Sequence, residues 1–339
     1  MKKIKIIKTK IIKPDKLREA AEIIKNGGLV VFPTETVYGL GANALDFNAV
    51  KKIYEVKGRP PDNPLIVHFA DPADIYKYAE VPEVAGKIIE KFMPAPLTLV
   101  LKKKSAELDA ASPGLDTVAV RAPENSAARE LIKLAGVPVA APSANLSGKP
   151  SPTNAGHIIK DLDGKVDMII CGGNCEIGLE STVLAFGPDG GVNILRSGYI
   201  TKEMLAEFKI SDNSPENPGP PQSPGIKYAH YAPDAPLYIL SGGDESIIDF
   251  IKKETRINNN AGFLCFDEMS ECFENNKNII SIGPRNDLKE QARNLFGALN
   301  RFNNLGVDII YSIEPARTDI GEAIYNRLIK AAGGKIIKL

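Results

Sequence analysis

The chain has 339 residues, 43% hydrophobic and 25% charged, a globular composition long enough for two domains. Its 42 basic residues balance 42 acidic ones, which excludes a strong sequence-independent grip on nucleic acid through net charge, though not a local basic patch. Cys171, Cys175, Cys265 and Cys272 form no C-x-x-C motif and only three histidines exist, so no metal site built from protein side chains is expected and a reducing cytoplasm suits the chain.

Lys2, Lys3, Lys5, Lys8, Lys10 and Lys13 make the N-terminus basic. A solvated strand edge guarded by lysines explains them, with an RNA contact as the other reading. Period-two alternation predicts a strand at 4–7. A helix at 15–25 follows Pro14 and is stopped by Gly27-Gly28. The β-rich run 29–32 ends at Pro33. Helices are expected at 49–56, 84–92 and 127–134, and strands at 65–69, 97–101, 118–120, 139–141, 168–171, 182–186 and 192–195. Some of these strands follow one another directly, which predicts an α/β domain with a twisted mixed sheet.

Seven prolines then crowd into residues 211–236. With φ fixed and backbone donors removed, such a stretch stays extended and stiff, and it reads as a linker. The domain boundaries that follow are 1–208, a linker at 209–236, and 237–339. Past the linker, strands at 237–240, 262–266, 279–282 and 307–311 alternate with helices at 245–253, 289–303 and 322–332. Regular βα alternation predicts a smaller, Rossmann-like parallel sheet. No apolar run reaches 18 residues and no signal-peptide core is present, so no membrane segment is expected.

No G-x-x-x-x-G-K-[ST] loop and no G-x-S-x-G elbow exists. Gly39-Leu-Gly41-Ala-Asn-Ala44 formally fits a dinucleotide fingerprint, but the strand expected to feed it breaks at Pro33. Four segments remain as candidates. The loop Lys57-Gly-Arg59-Pro-Pro-Asp-Asn63-Pro64 clusters two cations on a stiff backbone that suits phosphate oxygens. A solvated helix C-terminus explains the same cations. In Ser143-Ala-Asn145, two polar side chains share one side of an extended chain, for a nucleotide or simply for a turn. Gly172-Gly173 and Gly178-Leu-Glu180-Ser181-Thr182 feed a strand that begins with hydroxyls. Pro33-Thr34-Glu35-Thr36-Val37-Tyr38-Gly39-Leu40-Gly41 suits the rim of a sheet. Taken alone, Arg121 reads as a strand-end ion pair and His68 as a satisfied core histidine.

Together these segments resemble the YrdC/Sua5 family, whose signature is the Lys-x-Arg and Ser-x-Asn pair. The likeness is dense over about residues 10–207. The linker sequence Pro224-Gly-Ile-Lys-Tyr-Ala-His230-Tyr231-Ala-Pro233 and the tail Gly321-Glu-Ala-Ile-Tyr-Asn326-Arg327 resemble the long, Sua5-type members. The resemblance implies a YrdC-like twisted mixed sheet with helices and a smaller Rossmann-like parallel α/β C-terminal domain. It implies a nucleotidyltransferase that turns L-threonine, bicarbonate and ATP into threonylcarbamoyl-adenylate, pyrophosphate and water. The product would go to a separate transferase complex that modifies adenosine 37 of tRNAs reading ANN codons. Mg²⁺ would accompany ATP. Lys57 and Arg59 are implied as the catalytic cations. Arg59, Asn63, Thr117, Ser143, Asn145, Ser151, Arg196 and Tyr231 are implied as ATP contacts. Thr36, His68, Arg121, the Ala141 backbone and Ser181 are implied as threonine contacts, Arg121 as a clamp on the carboxylate. Tyr231, lying in the linker, would make the linker a lid.

Overall fold

A computed structural model describes residues 8–211, 231–273 and 276–339. The strand expected at 4–7 and most of the expected linker, 212–230, lie outside these residues. The described chain forms two compact units: 8–147, 152–176 and 180–211 make the first, and 148–151, 177–179 and the residues from 231 onward make the second.

The first unit runs β1 (Lys10–Ile12), α1 (Leu17–Lys25), β2 (Val30–Phe32), β3 (Gly39–Asn43), α2 (Phe47–Lys57), β4 (Ile66–His68), α3 (Ile75–Tyr78), β5 (Ala79–Glu80), α4 (Glu83–Phe92), β6 (Leu97–Lys103), β7 (Thr117–Arg121), α5 (Ser126–Ala135), β8 (Val139–Ala140), α6 (Ala155–Leu162), β9 (Met168–Ile170), β10 (Thr182–Phe186) and β11 (Val192–Arg196). The strands form one mixed sheet in the order β1-β9-β2-β3-β8-β4-β7-β6-β10-β11, with β5 beside β6. Alternation sorts the side chains. Val30, Phe32, Met168 and Ile170 pack with α1 and α5 residues such as Ile24 and Leu131, while Val31 and Ile169 join the other core with Ile53 and Ile88. Both faces are covered, which is why these strands read as continuous apolar runs.

Local chemistry sets the helix ends. The Asp46 side chain accepts from the Asn48 and Ala49 amides to start α2, and Gly58 closes it at φ 60°. Asn125 caps α5 through the Ala128 amide, and Gly136 ends it at φ 68°. Lys57 is thus the last residue of a helix, not part of the loop in which the sequence reading placed it.

In this unit β1, β3, α3, β5 and α6 fall outside the expected elements. β3 runs through the glycine pair of the formal dinucleotide fingerprint, and α6 is capped by Asn154. Gly41 is there because the Phe32 ring lies across β3: a β-carbon would fall 2.6 Å from that ring and 2.9 Å from Val139. The lysine-bearing N-terminal segment contributes the edge strand β1, where Lys10 pairs with Glu19 at 2.6 Å.

The second unit contains β12 (Leu237–Ser241), α7 (Asp244–Ile257), β13 (Ala261–Cys265), α8 (Asp267–Ser270), β14 (Ile279–Ser281), α9 (Leu288–Leu305), β15 (Ile309–Ile313), α10 (Ile320–Ala331) and β16 (Ile336–Lys338). Its strand order is β14-β13-β15-β12-β16 and every pair is parallel. Among the described residues no helix is long and apolar enough to cross a membrane.

Candidate active site

Sheet register gathers the polar motif residues at neighbouring strand ends. His68, at the end of β4, pairs with Arg121, at the end of β7, and with Val139 on β8. β8 continues into Ala141, whose amide donates to Ile66 at 2.9 Å. The chain then runs extended beside β3: the Leu40 amide donates to Pro142, the Ala144 amide donates to Tyr38, and Gly39 bridges Ser143. The Ser143-x-Asn145 segment is thus stitched to the segment that begins with Pro33.

Lys57 joins the second motif to the same place. Its ammonium donates to the Ser143 and Asn145 carbonyls, and its own carbonyl accepts from the Ser147 amide at 3.0 Å. Burial, then the charge of Arg59, pulls the Lys57 pKa well below that of an ordinary lysine. Arg59 bends back on its loop, with Nε donating to Asn63 O at 3.0 Å and Nη2 to Pro64 O at 2.9 Å. This Arg59 contact holds the turn that carries Asn63.

Arg121 is 4% exposed and its guanidinium faces the first motif. Nη1 donates to Thr36 Oγ1 at 3.0 Å, and Nη2 forms an ion pair with Glu35, 3% exposed. The other Glu35 oxygen accepts from the Asn125 amide, at the start of α5, at 3.3 Å. Burial pushes the Glu35 pKa up, but the Arg121 charge and hydrogen bonds more than offset it, so the group stays below the usual carboxylate value. Arg121 Nε is buried with no hydrogen-bond partner. His68 Nδ1 sits 3.2 Å from Ile66 O, and its ring meets Phe32 edge-on at 6.4 Å. Burial, then the nearby Arg121 charge, lowers its pKa to about 3, so the imidazole is neutral.

On the far side of β7, Leu99 of β6 pairs with Val120. The adjoining Thr98 Oγ1 is 2.7 Å from Ser181 Oγ. Arg196 holds the same serine, with Nη2 donating to its hydroxyl and Nε to its carbonyl, each at 3.1 Å. The four motifs therefore meet through hydrogen bonds across four strands.

The buried charges fall in the same place. Among the described residues of the first unit, the buried cations are Lys57, Arg59, Arg121 and Arg196, and the buried carboxylates are Glu35 and Glu180. All six belong to the motif segments or to the strand ends packed against them. Buried charge is expensive unless paired, so such an excess of basic groups fits a site completed by an anionic ligand.

Residues 22–198 match the Sua5/YciO/YrdC family model, described as "Telomere recombination", and residues 200–333 match the model described as "Threonylcarbamoyl-AMP synthase, C-terminal domain". The chain belongs to the Sua5/YciO/YrdC family. Threonylcarbamoyl-AMP synthase of Bacillus subtilis is 44% identical over 95% of this chain and 94% of its own. The Pyrococcus abyssi enzyme of that name is 42% identical over 96% of each chain. The crystal structure of P. abyssi Sua5 complexed with L-threonine superposes with a TM-score of 0.87 at 41% identity, over 98% of this chain and 100% of the other.

Within this Sua5-type chain, the implied threonine contacts Thr36, His68, Arg121 and Ala141 lie together, and Ser181 joins them through Thr98. Lys57, Arg59, Asn63, Ser143 and Asn145 form the adjoining group, and Arg196 adjoins through Ser181. One implied ATP contact of this unit stands apart from these groups. Thr117 begins β7 and pairs with Lys102, a strand length of about 13 Å from the Arg121 end. Ser151 and Tyr231 belong to the second unit, and Tyr231 is buried there against Phe296, ring centroids 5.3 Å apart. The remainder of the implied lid, 212–230, lies outside the described residues.

The sequence reading passed over Glu35 and Thr98. Glu35 carried a signal: it is the only charged residue between Lys25 and Asp46. A lone carboxylate in so apolar a stretch must find a partner. Thr98 carried none, since a threonine within an apolar strand is ordinary.

Proposed function

We propose that this chain makes threonylcarbamoyl-adenylate from L-threonine, bicarbonate and ATP, and so acts as a nucleotidyltransferase. The neutral amine of threonine attacks the carbonate carbon and water leaves, giving an N-carboxylate. An oxygen of that carboxylate attacks the α-phosphorus of ATP, and pyrophosphate leaves with the electrons of the broken P–O bond. Both steps need anions held side by side, which makes positioning and electrostatic stabilisation the protein's task.

The observation that carries this reading is the presence of four buried cations, Lys57 at a helix end, Arg59 in the loop after it and Arg121 and Arg196 at strand ends, in or against the motif segments of a Sua5-family chain. Arg121, with Thr36 and neutral His68, would seat the amino acid. Ser181 would complete the amino-acid side, Ser143, Asn145 and Arg59, with Arg196, would face the nucleotide, and Lys57 would hold the Ser143–Asn145 backbone. Among the described residues no three His, Cys, Asp or Glu side chains gather to cage a metal. Mg²⁺ would arrive on the triphosphate, since this ion keeps waters and binds through substrate phosphates. It would draw negative charge from the departing pyrophosphate.

The labile product would pass in the cytoplasm to a transferase complex that modifies adenosine 37 of tRNAs reading ANN codons. The test is pyrophosphate release by the purified chain. It should require ATP, L-threonine and bicarbonate together, and mass spectrometry should find the mixed carbamic–phosphoric anhydride. Turnover with serine equal to that with threonine, or tight RNA binding with a steep salt slope and no turnover, would overturn it.

A further inference from the structure

The Arg121 guanidinium carries five N–H donors on three nitrogens, and the fold engages two of those nitrogens. Thr36 holds Nη1 and Glu35 holds Nη2, leaving buried Nε open. Glu35 is itself fixed from a second direction, because its other oxygen accepts from the Asn125 amide at the N-terminus of α5. The carboxylate therefore spans three elements: its own β2–β3 turn, the end of β7, and the start of a helix that packs on the sheet. A surface ion pair would not need this. A buried guanidinium that must meet a ligand in one orientation would.

We propose that Glu35 is a positioning residue for the amino-acid substrate: it orients Arg121 so that the uncommitted edge of the guanidinium meets the substrate carboxylate. This rests on the reading given under Proposed function. Removing the Glu35 charge has two opposed effects. It leaves Arg121 uncompensated, which would attract any anion more strongly. It also frees the guanidinium to swing. For a zwitterion the first effect largely cancels, because threonine carries no net charge and its ammonium and carboxylate feel the altered potential with opposite signs. Orientation then decides.

In Glu35→Gln the side chain keeps its shape but has only one acceptor oxygen. Its amide N–H₂ must point at the donor of Arg121 or at that of Asn125. The threonine KM should rise about tenfold or more, equivalent to about 1.4 kcal/mol, while the ATP KM stays within about twofold. Glu35→Asp keeps the charge but is one methylene too short to reach both partners, and should raise the threonine KM as well. A general disturbance of folding would move both KM values together, so the split between them is the readout that a structural role alone does not give.

Melting curves show which variants are folded. A folded Glu35→Gln or Glu35→Asp whose threonine KM stays within twofold of the unsubstituted chain overturns the proposal. So does a parallel rise of both KM values. The unsubstituted chain is assayed first: if it shows no threonine-dependent pyrophosphate release, the functional reading itself fails, a result distinct from failure of the Glu35 assignment.

Discussion

Replacing Lys57 by Met removes the amine and keeps the stem, which isolates what the buried group does. Its Nζ satisfies the Ser143 and Asn145 carbonyls, which belong to a segment whose other hydrogen bonds run to Tyr38 and Leu40. Methionine takes the Nζ donor away from both carbonyls, each loss worth about 1–3 kcal/mol. Relief from burying an ammonium would offset part of this. The balance is a loss of about 2–4 kcal/mol, or roughly 4–16 °C in Tm for a unit of this size. Turnover should fall roughly 100-fold, because Ser143 and Asn145 lose their fixed place. Differential scanning calorimetry and pyrophosphate release, run on the same preparation, give both numbers. A Lys57→Met chain that melts at or above the parent temperature while losing turnover would refute the reasoning. In that case the ammonium is a charge held in reserve for the substrate, not a brace for the loop.

Arg121→Met should raise the threonine KM about 100-fold and lower stability by about 3–5 kcal/mol, since buried Glu35 loses its charged partner. Adding Glu35→Gln should recover part of the melting temperature and none of the KM, as calorimetry and threonine titration can check. For His68 the folded pKa of about 3 lies below the unfolded value of about 6.5, so the unfolded chain binds the extra proton between them. Stability is therefore full above pH 6.5 and is lost as pH falls toward 3, with a slope of up to about 1.4 kcal/mol per pH unit. Denaturant titrations of His68→Asn should show that slope flattened, leaving the Glu35 contribution that acts in the same direction below about pH 4.5. Gly41→Ala places a methyl against the Phe32 ring and Val139, and should cost about 1–3 kcal/mol of overpacking, read as a lower denaturant midpoint.

What could be read from the sequence was local. The end of α1 followed from Gly27-Gly28, because a left-handed end depends on the residue and its immediate neighbours. The parallel C-terminal sheet followed from βα alternation, since parallel neighbours need crossovers. The motif segments could be singled out, and with them the candidate site residues. Tertiary structure decided the remainder. β3 runs through a glycine pair because of the aromatic ring lying across it, which no local rule reports. Lys57 could be read as a solvated helix-end cation or as a phosphate-facing one, but not as what it is, an amine held by carbonyls of a segment 88 residues away. Arg121 meets Glu35 across 86 residues. Propensity and punctuation act within a turn or two of the chain, whereas register between distant strands sets which charges are buried together, and here that pairing makes the site.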